Sequence, residues 1–151
     1  PRSTPKPSSA ASDVYKRQMQ KNPVYTDLLS EVKSFLAERA RALTDLGVSA
    51  EKIVLDPGFG FGKTVSQNFE LLAKTEDFLS LGYPLLYGMS RKSSLGAVTG
   101  ITKAEERLIS SVTAHLLAVE RGASIVRVHD VKQMKEALTI YKAMVHYKDL
   151  K

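Results

Sequence analysis

The sequence predicts an α/β fold built from parallel β/α units, and two observations support this prediction. Segments with apolar residues at three- and four-residue steps, typical of helices, alternate with short apolar segments typical of strands. The short segments are apolar throughout, which indicates strands that are covered on both faces. The order of helix, strand, helix, strand, helix, strand and helix favours neighbouring parallel strands joined by right-handed crossovers.

Four helices are predicted. The first begins at Thr26, and the second runs from about Ser66 to Leu81. A capping box between Thr102 and Glu105 is expected to start the third helix, and Asp130 is expected to cap the fourth. A glycine, which is a common helix end, follows each of the first three: Gly47, Gly82 and Gly122. The helical spacing predicts burial of several apolar side chains, among them Leu43, Leu46, Ile109, Val131, Met134, Leu138, Tyr141 and Val145.

Three strands are predicted, with the sequences KIVLD, YPLLYGM and SIVRVH, and polar residues follow or end each of them. Asp56 ends the first, Lys92 follows the second, and His129 ends the third. The separations are 36 and 37 residues, which is about one β/α unit each. Because the carboxyl ends of parallel strands lie at one rim of a sheet, we expect these groups to form a single site.

This rim is expected to carry a carboxylate facing several cationic groups. Asp56 alone is typical of a turn residue, and Arg91 with Lys92 is typical of a solvated loop. Their combination with Arg127 and His129 on successive strands favours a site instead. One acid among several bases suits a ligand with a donor-rich ring and an anionic tail. The other two histidines, His115 and His146, lie on predicted helices and are assigned to structure.

The segment LDPGFGFGKT resembles a nucleotide-binding loop but does not fit either common pattern. A P-loop requires a glycine where this chain has Pro57, which has no N–H to offer a phosphate. The dinucleotide pattern would need glycine at Lys63 or Val65. Alternating glycines instead let the backbone turn sharply and approach a ligand. We expect Phe59 to pack under this loop and Phe61 to be presented by it.

Composition restricts the class of protein. The net charge of +6 is divided equally between residues 1–18 and the remaining 133 residues, and no basic stripe interleaved with aromatic residues predicts nucleic-acid binding. There is no cysteine, which fits a reducing compartment, and no apolar run approaches the roughly 20 residues of a membrane span. Residues 1–18 are rich in Pro, Ser and Ala and are predicted to be a disordered or non-native leader.

Three motifs in register resemble one known family. LDPGFGFGK, LLYGMSRKS and VRVHDV occur in the order and at the spacing of the C-terminal part of dihydropteroate synthase, and MQKNPVYTDLLSEV resembles a segment before them. The resemblance implies a (β/α)8 TIM-barrel fold, with residues 19–151 covering roughly the last three β/α units and a preceding helix. It also implies condensation of p-aminobenzoate with hydroxymethyl-dihydropterin pyrophosphate in folate biosynthesis.

The resemblance implies catalytic roles for Asp56, Lys92 and Arg127. Asp56 would accept hydrogen bonds from the pterin ring and stabilise a pterin cation after diphosphate leaves. Lys92 would donate to the pterin oxygen and nitrogen. Arg127 would stack on the pterin and help hold the diphosphate, for which a flat guanidinium is suited.

The remaining residues implied by the resemblance line the pocket. His129 would bind the diphosphate, Ser93 and Phe61 would shape the p-aminobenzoate side, and Met89 would line the pocket. No metal ligand is assigned, because the resemblance implies that the Asn that binds Mg²⁺ and diphosphate lies on a first strand that this sequence does not contain. We therefore expect residues 19–151 alone to be inactive and prone to aggregate. The family resemblance further implies a cytoplasmic homodimer whose helices in this half form the contact.

Three alternatives stay open. A methyltetrahydrofolate-dependent methyltransferase shares the pterin-binding barrel, but it has no need for the Ser-Arg-Lys-Ser and Arg-Val-His segments to hold a diphosphate. A non-catalytic remnant that binds pterin, or binds nothing, is suggested by length alone. A nucleotide-binding domain is disfavoured by Pro57.

Overall fold

The computed structural model describes residues 25–149, which have the predicted α/β architecture. The predicted leader, residues 1–18, lies outside the described residues. The α-helices and strands, in chain order, are α1 (Leu28–Asp45), α2 (Val65–Ala73), β1 (Leu86–Tyr87), α3 (Ser93–Thr99), α4 (Leu108–Glu120), β2 (Ile125–Val126) and α5 (Val131–Val145). Four 3-10 helices accompany them within the described part: Ala50–Lys52, Thr75–Leu81, Ala104–Glu106 and Tyr147–Asp149.

The strands are parallel neighbours, as predicted. Leu86 lies opposite Ile125 and Tyr87 opposite Val126. The predicted first strand is reduced to one parallel bridge between Leu55 and Leu85. Pro57 gives the physical reason, because a proline has no N–H with which the strand could continue to pair. The middle strand therefore lies between the other two, and all three run toward the same rim.

The second helix is shorter than predicted. It ends at Ala73, and residues 75–81 form a separate 3-10 helix. The Thr75 hydroxyl donates to the carbonyls of Leu71 (3.3 Å) and Leu72 (2.8 Å), and a side chain that bonds the helix backbone in this way competes with continuation of the helix. A capping box that was not predicted, between Thr64 and Gln67, starts α2.

The predicted start of the third helix is wrong. No capping box forms at Thr102; a 3-10 turn is followed by α4, which begins at Leu108 after Arg107. The Arg107 side chain bonds the Ile101 carbonyl instead, at 3.0 Å. The buried face of α4 carries Ser111, Ala114, His115 and Ala118, whereas Ile109 is 79% exposed. The sequence analysis also missed α3, which is only seven residues long.

The first and last helices are confirmed, but part of their predicted burial is not. Leu43 and Leu46 are exposed at the end of α1, and Val131 and Val145 are exposed on α5, where Met134 is the buried residue among those described. The prediction counted apolar residues at helical steps without knowing which face another element covers. The exposed residues on α5 therefore lie outside the core of the described chain.

Two groups of buried side chains hold the fold together. The first joins α1 to the strands and contains, among others, Val32, Leu36, Leu55, Leu71 and Leu85. The second lies under the rim and contains Phe59, Leu72, Tyr87, Met89, Leu95, Ala114, Ala118 and Ala123. Because the second group supports the ends of the strands, the rim rests on rigid packing. Among helices of residues 25–149, none combines the length and apolar character that a membrane span requires.

Candidate functional site

The ends of the three strands bring the predicted polar residues to one rim. Leu55 bonds the backbone on both sides of Leu85, and the Arg127 N–H donates to the Tyr87 carbonyl at 2.9 Å. Asp56 directly follows Leu55, Arg127 directly follows β2, and Lys92 lies five residues after the end of β1. Electrostatic interaction of Lys92 with both Asp56 and Arg127 indicates that the three side chains share one region.

The glycine-rich loop is folded against this rim. Gly58, Gly60 and Gly62 all have positive φ, a conformation that favours glycine. The Asp56 carboxylate accepts the Gly58 N–H at 2.9 Å, so the loop orients the acid. Phe59 is buried under the loop, which confirms that prediction.

Buried Asn68, on α2, fastens the loop from below. Its Oδ1 accepts the Gly60 N–H at 2.6 Å, and its Nδ2 donates to the Thr64 carbonyl at 2.9 Å and to the Ser94 hydroxyl at 3.0 Å. The sequence analysis missed this residue. A polar residue on the first turns of a helix that follows a glycine loop is the signal that could have identified it.

The Lys92 side chain extends across the loop. Its ammonium donates to the Phe59 carbonyl and lies 4.0 Å from the centre of the Phe61 ring. Its methylene groups lie where a Cβ on Gly60 would be. The second glycine of the motif therefore leaves room for this lysine, and Phe61 contacts it with its aromatic face.

Burial lowers the pKa of the Lys92 ammonium to about 8, because a charged amine is poorly solvated there. The Asp56 carboxylate opposes this effect, and the positive charges of Arg127 and Lys63 add to it. Lys92 is thus a cation whose charge depends on pH in the range near neutrality.

A second lysine, which the sequence analysis did not assign to the site, also touches the loop. The Lys63 ammonium donates to the carbonyls of Gly58 and Phe61, both at 3.2 Å. Burial lowers its pKa, and Asp56 opposes this. Since its donors are used by loop carbonyls, Lys63 stabilises the shape of the loop.

The third strand supplies a guanidinium and an imidazole. The Arg127 guanidinium lies against Gly88: a Cβ there would be 2.7 Å from one of its nitrogens. Both Arg127 and His129 are exposed. The His129 Nδ1 lies 2.9 Å from the Ser90 hydroxyl, which orients the ring toward the second strand.

Asp130 and Arg91 form an ion pair that the sequence analysis did not predict. Asp130 was assigned as a helix cap, but its side chain makes no cap hydrogen bond. Instead, its two oxygens accept from Arg91 at 2.8 Å and 3.3 Å. The pair connects the loops after β1 and β2.

The other predicted residues occupy different environments. Met89 is fully buried in the core under the rim, so it does not reach the surface with the polar residues. Ser93 is exposed at the first turn of α3. His115 is completely buried, in agreement with a structural role, and His146 is an exposed residue at the end of α5. The substrate contacts of all seven predicted site residues stay predictions.

The described residues do not offer a metal site. Within residues 25–149, no group of three or more His, Asp or Glu side chains is arranged to hold a metal ion. At the rim, the Oδ1 of the Asp56 carboxylate already accepts a loop N–H.

Comparisons with known proteins identify the relatives of this chain. A family model described as pterin binding enzyme matches residues 10–129; this match begins inside the predicted leader, whose assignment stays a prediction. Dihydropteroate synthase of Neisseria meningitidis serogroup C is 46% identical over 129 residues, which are 85% of this chain and 46% of the relative. The chain therefore spans about half the length of the curated relatives it matches.

Two solved structures of dihydropteroate synthases are similar to the fold. The Stenotrophomonas maltophilia protein, with imidazole bound in its active site, has a TM-score of 0.83 at 49% identity. The match covers 85% of this chain and 48% of the Stenotrophomonas chain. The Xanthomonas albilineans protein, in complex with 7,8-dihydropteroate, has a TM-score of 0.82 at 44% identity. This match covers 84% of this chain and 50% of the Xanthomonas chain. These neighbours have a TIM-barrel fold, and the resemblance to dihydropteroate synthase is confirmed. Since the family model covers more than half of its residues, the chain belongs to the pterin binding enzyme family.

Proposed function

We propose that the protein carrying this chain is a dihydropteroate synthase. It would condense p-aminobenzoate with hydroxymethyl-dihydropterin pyrophosphate, releasing pyrophosphate and forming dihydropteroate. The observation that carries the proposal is the meeting of Asp56, Lys92 and Arg127 at one rim over the glycine loop. The dihydropteroate bound to the Xanthomonas albilineans relative supports the same substrate class.

The rim suits a pterin with an anionic tail. The exposed Asp56 carboxylate is a hydrogen-bond acceptor for ring N–H and amino groups. The Lys92 ammonium donates to ring oxygen or nitrogen, and the Arg127 guanidinium presents a flat cationic face. As diphosphate leaves, negative charge develops on it and positive charge on the pterin, so fixed cations and one carboxylate stabilise both partners.

The remaining predicted residues are assigned to the two ends of the ligand. His129, held by Ser90, would bind the diphosphate end. Phe61 and Ser93 would border the p-aminobenzoate. Met89, being buried, would support the lining of the pocket from the core.

In this proposal residues 19–151 form roughly the last three β/α units of a (β/α)8 barrel, with a preceding helix. The three parallel strand ends at one rim support this arrangement. Further strands and the rest of the site would come from a part of the protein that corresponds to the unmatched half of the relatives. That residues 19–151 alone are inactive and aggregate, and that the protein is cytoplasmic, stay predictions.

Mg²⁺ also stays a proposal, for which the described residues do not provide a fitting site. We assign none of them as its ligand. When bound, such an ion would supply a positive charge for the leaving diphosphate. A homodimer is proposed as well, because α5 exposes apolar side chains, including Ile140 (69%) and Met144 (60%), one helical turn apart.

The test is an assay of dihydropteroate formation by the intact protein that carries this sequence. We expect turnover with both substrates, and a loss of about 10²-fold or more in Asp56→Asn and in Lys92→Met. Asp149→Asn, far along the chain in the last 3-10 helix, is the control and should retain activity. Binding of pterin without turnover would favour the non-catalytic alternative. Methyl transfer from methyltetrahydrofolate would replace the proposal by the methyltransferase.

A further inference from the structure

The turn that precedes Lys92 is held in an unfavourable conformation. Among residues 25–149, Arg91 is the only residue other than glycine with a positive φ, at 62°. The Lys92 N–H donates to the Met89 carbonyl at 3.2 Å and closes the turn. A side chain in this region is disfavoured, so the surrounding structure must hold it there.

Helix α4 and Arg107, the residue directly before it, provide the contacts that hold the turn. The Arg91 N–H donates to the Ser111 hydroxyl at 2.8 Å, and the Arg107 guanidinium donates to the Arg91 carbonyl at 2.9 Å. One turn of the helix beyond Ser111, the His115 Nε2 accepts the Met89 N–H at 3.0 Å. Both ends of the turn are thus bonded to one helix.

The tautomer of His115 follows from its two partners. Its Nδ1 lies 2.7 Å from the Ser111 carbonyl, which can only accept, so Nδ1 carries the proton. Nε2 then has the free lone pair that the Met89 N–H requires. The side chain is completely buried, and burial lowers the pKa of the imidazole, so the neutral form is favoured.

We propose that α4 is the positioning element of the site, and that His115, together with Ser111 and Arg107, fixes the Lys92 ammonium by holding the strained Met89–Lys92 turn. The inference rests on the proposed function, since it assigns Lys92 to pterin binding. His115 touches no substrate; it acts through the backbone three residues before Lys92. A histidine that only filled the core would not need an acceptor nitrogen facing a loop N–H.

Four proteins separate positioning from packing. His115→Leu fills similar volume but removes the acceptor and leaves a buried N–H unpaired. His115→Gln keeps an acceptor at a similar reach. Tyr87→Phe is the matched control, since it removes buried hydrogen bonds to Thr75 and Leu71 in the same core without touching the turn. The intact wild-type protein is the reference.

The first readout is the dissociation constant for 7,8-dihydropteroate, measured by titration calorimetry. Relative to wild type, we expect His115→Leu to weaken binding roughly tenfold, His115→Gln to restore it to within about twofold of the wild-type value, and Tyr87→Phe to leave it unchanged. Unchanged binding in His115→Leu, no recovery in His115→Gln, or equal weakening in Tyr87→Phe would each overturn the proposal.

The second readout separates this inference from the proposed function. Amide hydrogen exchange at Arg91 and Lys92 does not depend on any ligand. We expect it to be faster, by roughly tenfold, in His115→Leu but not in Tyr87→Phe. If wild type does not bind dihydropteroate, the proposed function fails, and faster exchange still supports the positioning of the turn. Unchanged exchange at both amides overturns the inference even if pterin binds.

Discussion

At the scale of single residues, the missing side chain of Gly60 is as informative as the charged groups around it. Gly60 has a φ of 78°, and Lys92 occupies the space of its absent Cβ. Gly82, at the end of a 3-10 helix, has nearly the same φ of 76° with open space around it. The two glycines therefore differ in their neighbours and not in their backbone.

Gly60→Ala is expected to displace Lys92 and to weaken pterin binding at least tenfold. Gly82→Ala should lose about 1–2 kcal/mol of unfolding free energy, the cost of a left-handed alanine. Gly60→Ala should lose more than this, because the displaced Lys92 also loses its hydrogen bond to the Phe59 carbonyl. Only Gly60→Ala should change the affinity for pterin. Denaturant unfolding and pterin titration on the two variants check this. Equal affinities of the two variants would contradict the role given to Gly60.

The charge of Lys92 predicts a pH dependence of binding. Its pKa of about 8 means that the ammonium loses its proton as the pH rises through 8, well below the ordinary lysine range. Affinity for an anionic pterin should then fall between pH 7 and 9. Lys92→Met should flatten this profile, whereas Lys63→Met should retain it. A flat wild-type profile would show that Lys92 does not supply the charge.

The lowered pKa of Lys92 also determines whether the free energy of unfolding rises or falls with pH. Between pH 8 and about 10.4 the unfolded chain binds the Lys92 proton and the folded chain does not. The contribution of Lys92 to the free energy of unfolding therefore rises with pH in this window. Denaturant unfolding of wild type and of Lys92→Met at several pH values between 8 and about 10.4 measures this contribution.

At the scale of elements, the glycine loop, α2 and α3 form one unit through Asn68. This buried amide bonds the loop at Gly60, its own helix at Thr64, and α3 at Ser94. Loss of the amide leaves a loop N–H without its acceptor, which is more costly than loss of an exposed hydrogen bond. The position of the loop thus depends on a helix that follows it in the sequence.

Asn68→Ala is expected to cost about 2–3 kcal/mol of unfolding free energy, because several buried polar groups lose partners together. Ser94→Ala, which removes one of these partners, should cost about 1 kcal/mol. The midpoints of denaturant unfolding curves, provided that their slopes are unchanged, measure the loss of stability in each variant. If the two substitutions had equal effects, Asn68 would not be the centre of the unit.

The elements predicted best from the sequence are those whose apolar residues recur at a regular step. The sequence predicted α1, the parallel order of strands and the common rim, because these depend on patterns within a segment. It missed the early end of α2, where the Thr75 hydroxyl bonds the helix backbone, and the true start of α4, where the Arg107 side chain bonds the Ile101 carbonyl. It also missed the seven-residue α3 and the exposure of Ile109. The Arg91–Asp130 pair spans 39 residues, and only the folded chain brings it together.

At the scale of the whole molecule, α5 presents exposed apolar side chains on its outer side. Its buried side rests on Met134 and packs against α4, while Ile140 and Met144 face outward. Exposed apolar residues at one helical step are typical of a surface covered by a partner. This is consistent with the proposed homodimer.

Ile140→Glu is expected to shift the intact protein from dimer to monomer, because a buried unpaired charge is unfavourable in an interface. The sedimentation velocity of the variant should show loss of the dimer, while Lys135→Gln, at an exposed position on the other side of the same helix, should sediment as wild type. A wild-type monomer, or a dimer that tolerates Ile140→Glu, would place the contact elsewhere.

The low pKa of Lys92 also has a consequence for covalent chemistry. An amine acylates only in its unprotonated form, and that form is far more abundant in Lys92 at pH 7.5 than in a lysine with the ordinary pKa of about 10.4. Lys92 should therefore be among the first lysines modified by a small amine-reactive ester. Peptide mapping by mass spectrometry after brief labelling identifies the modified residue, and dihydropteroate should protect it. Surface lysines labelled before Lys92, without protection by ligand, would contradict this expectation.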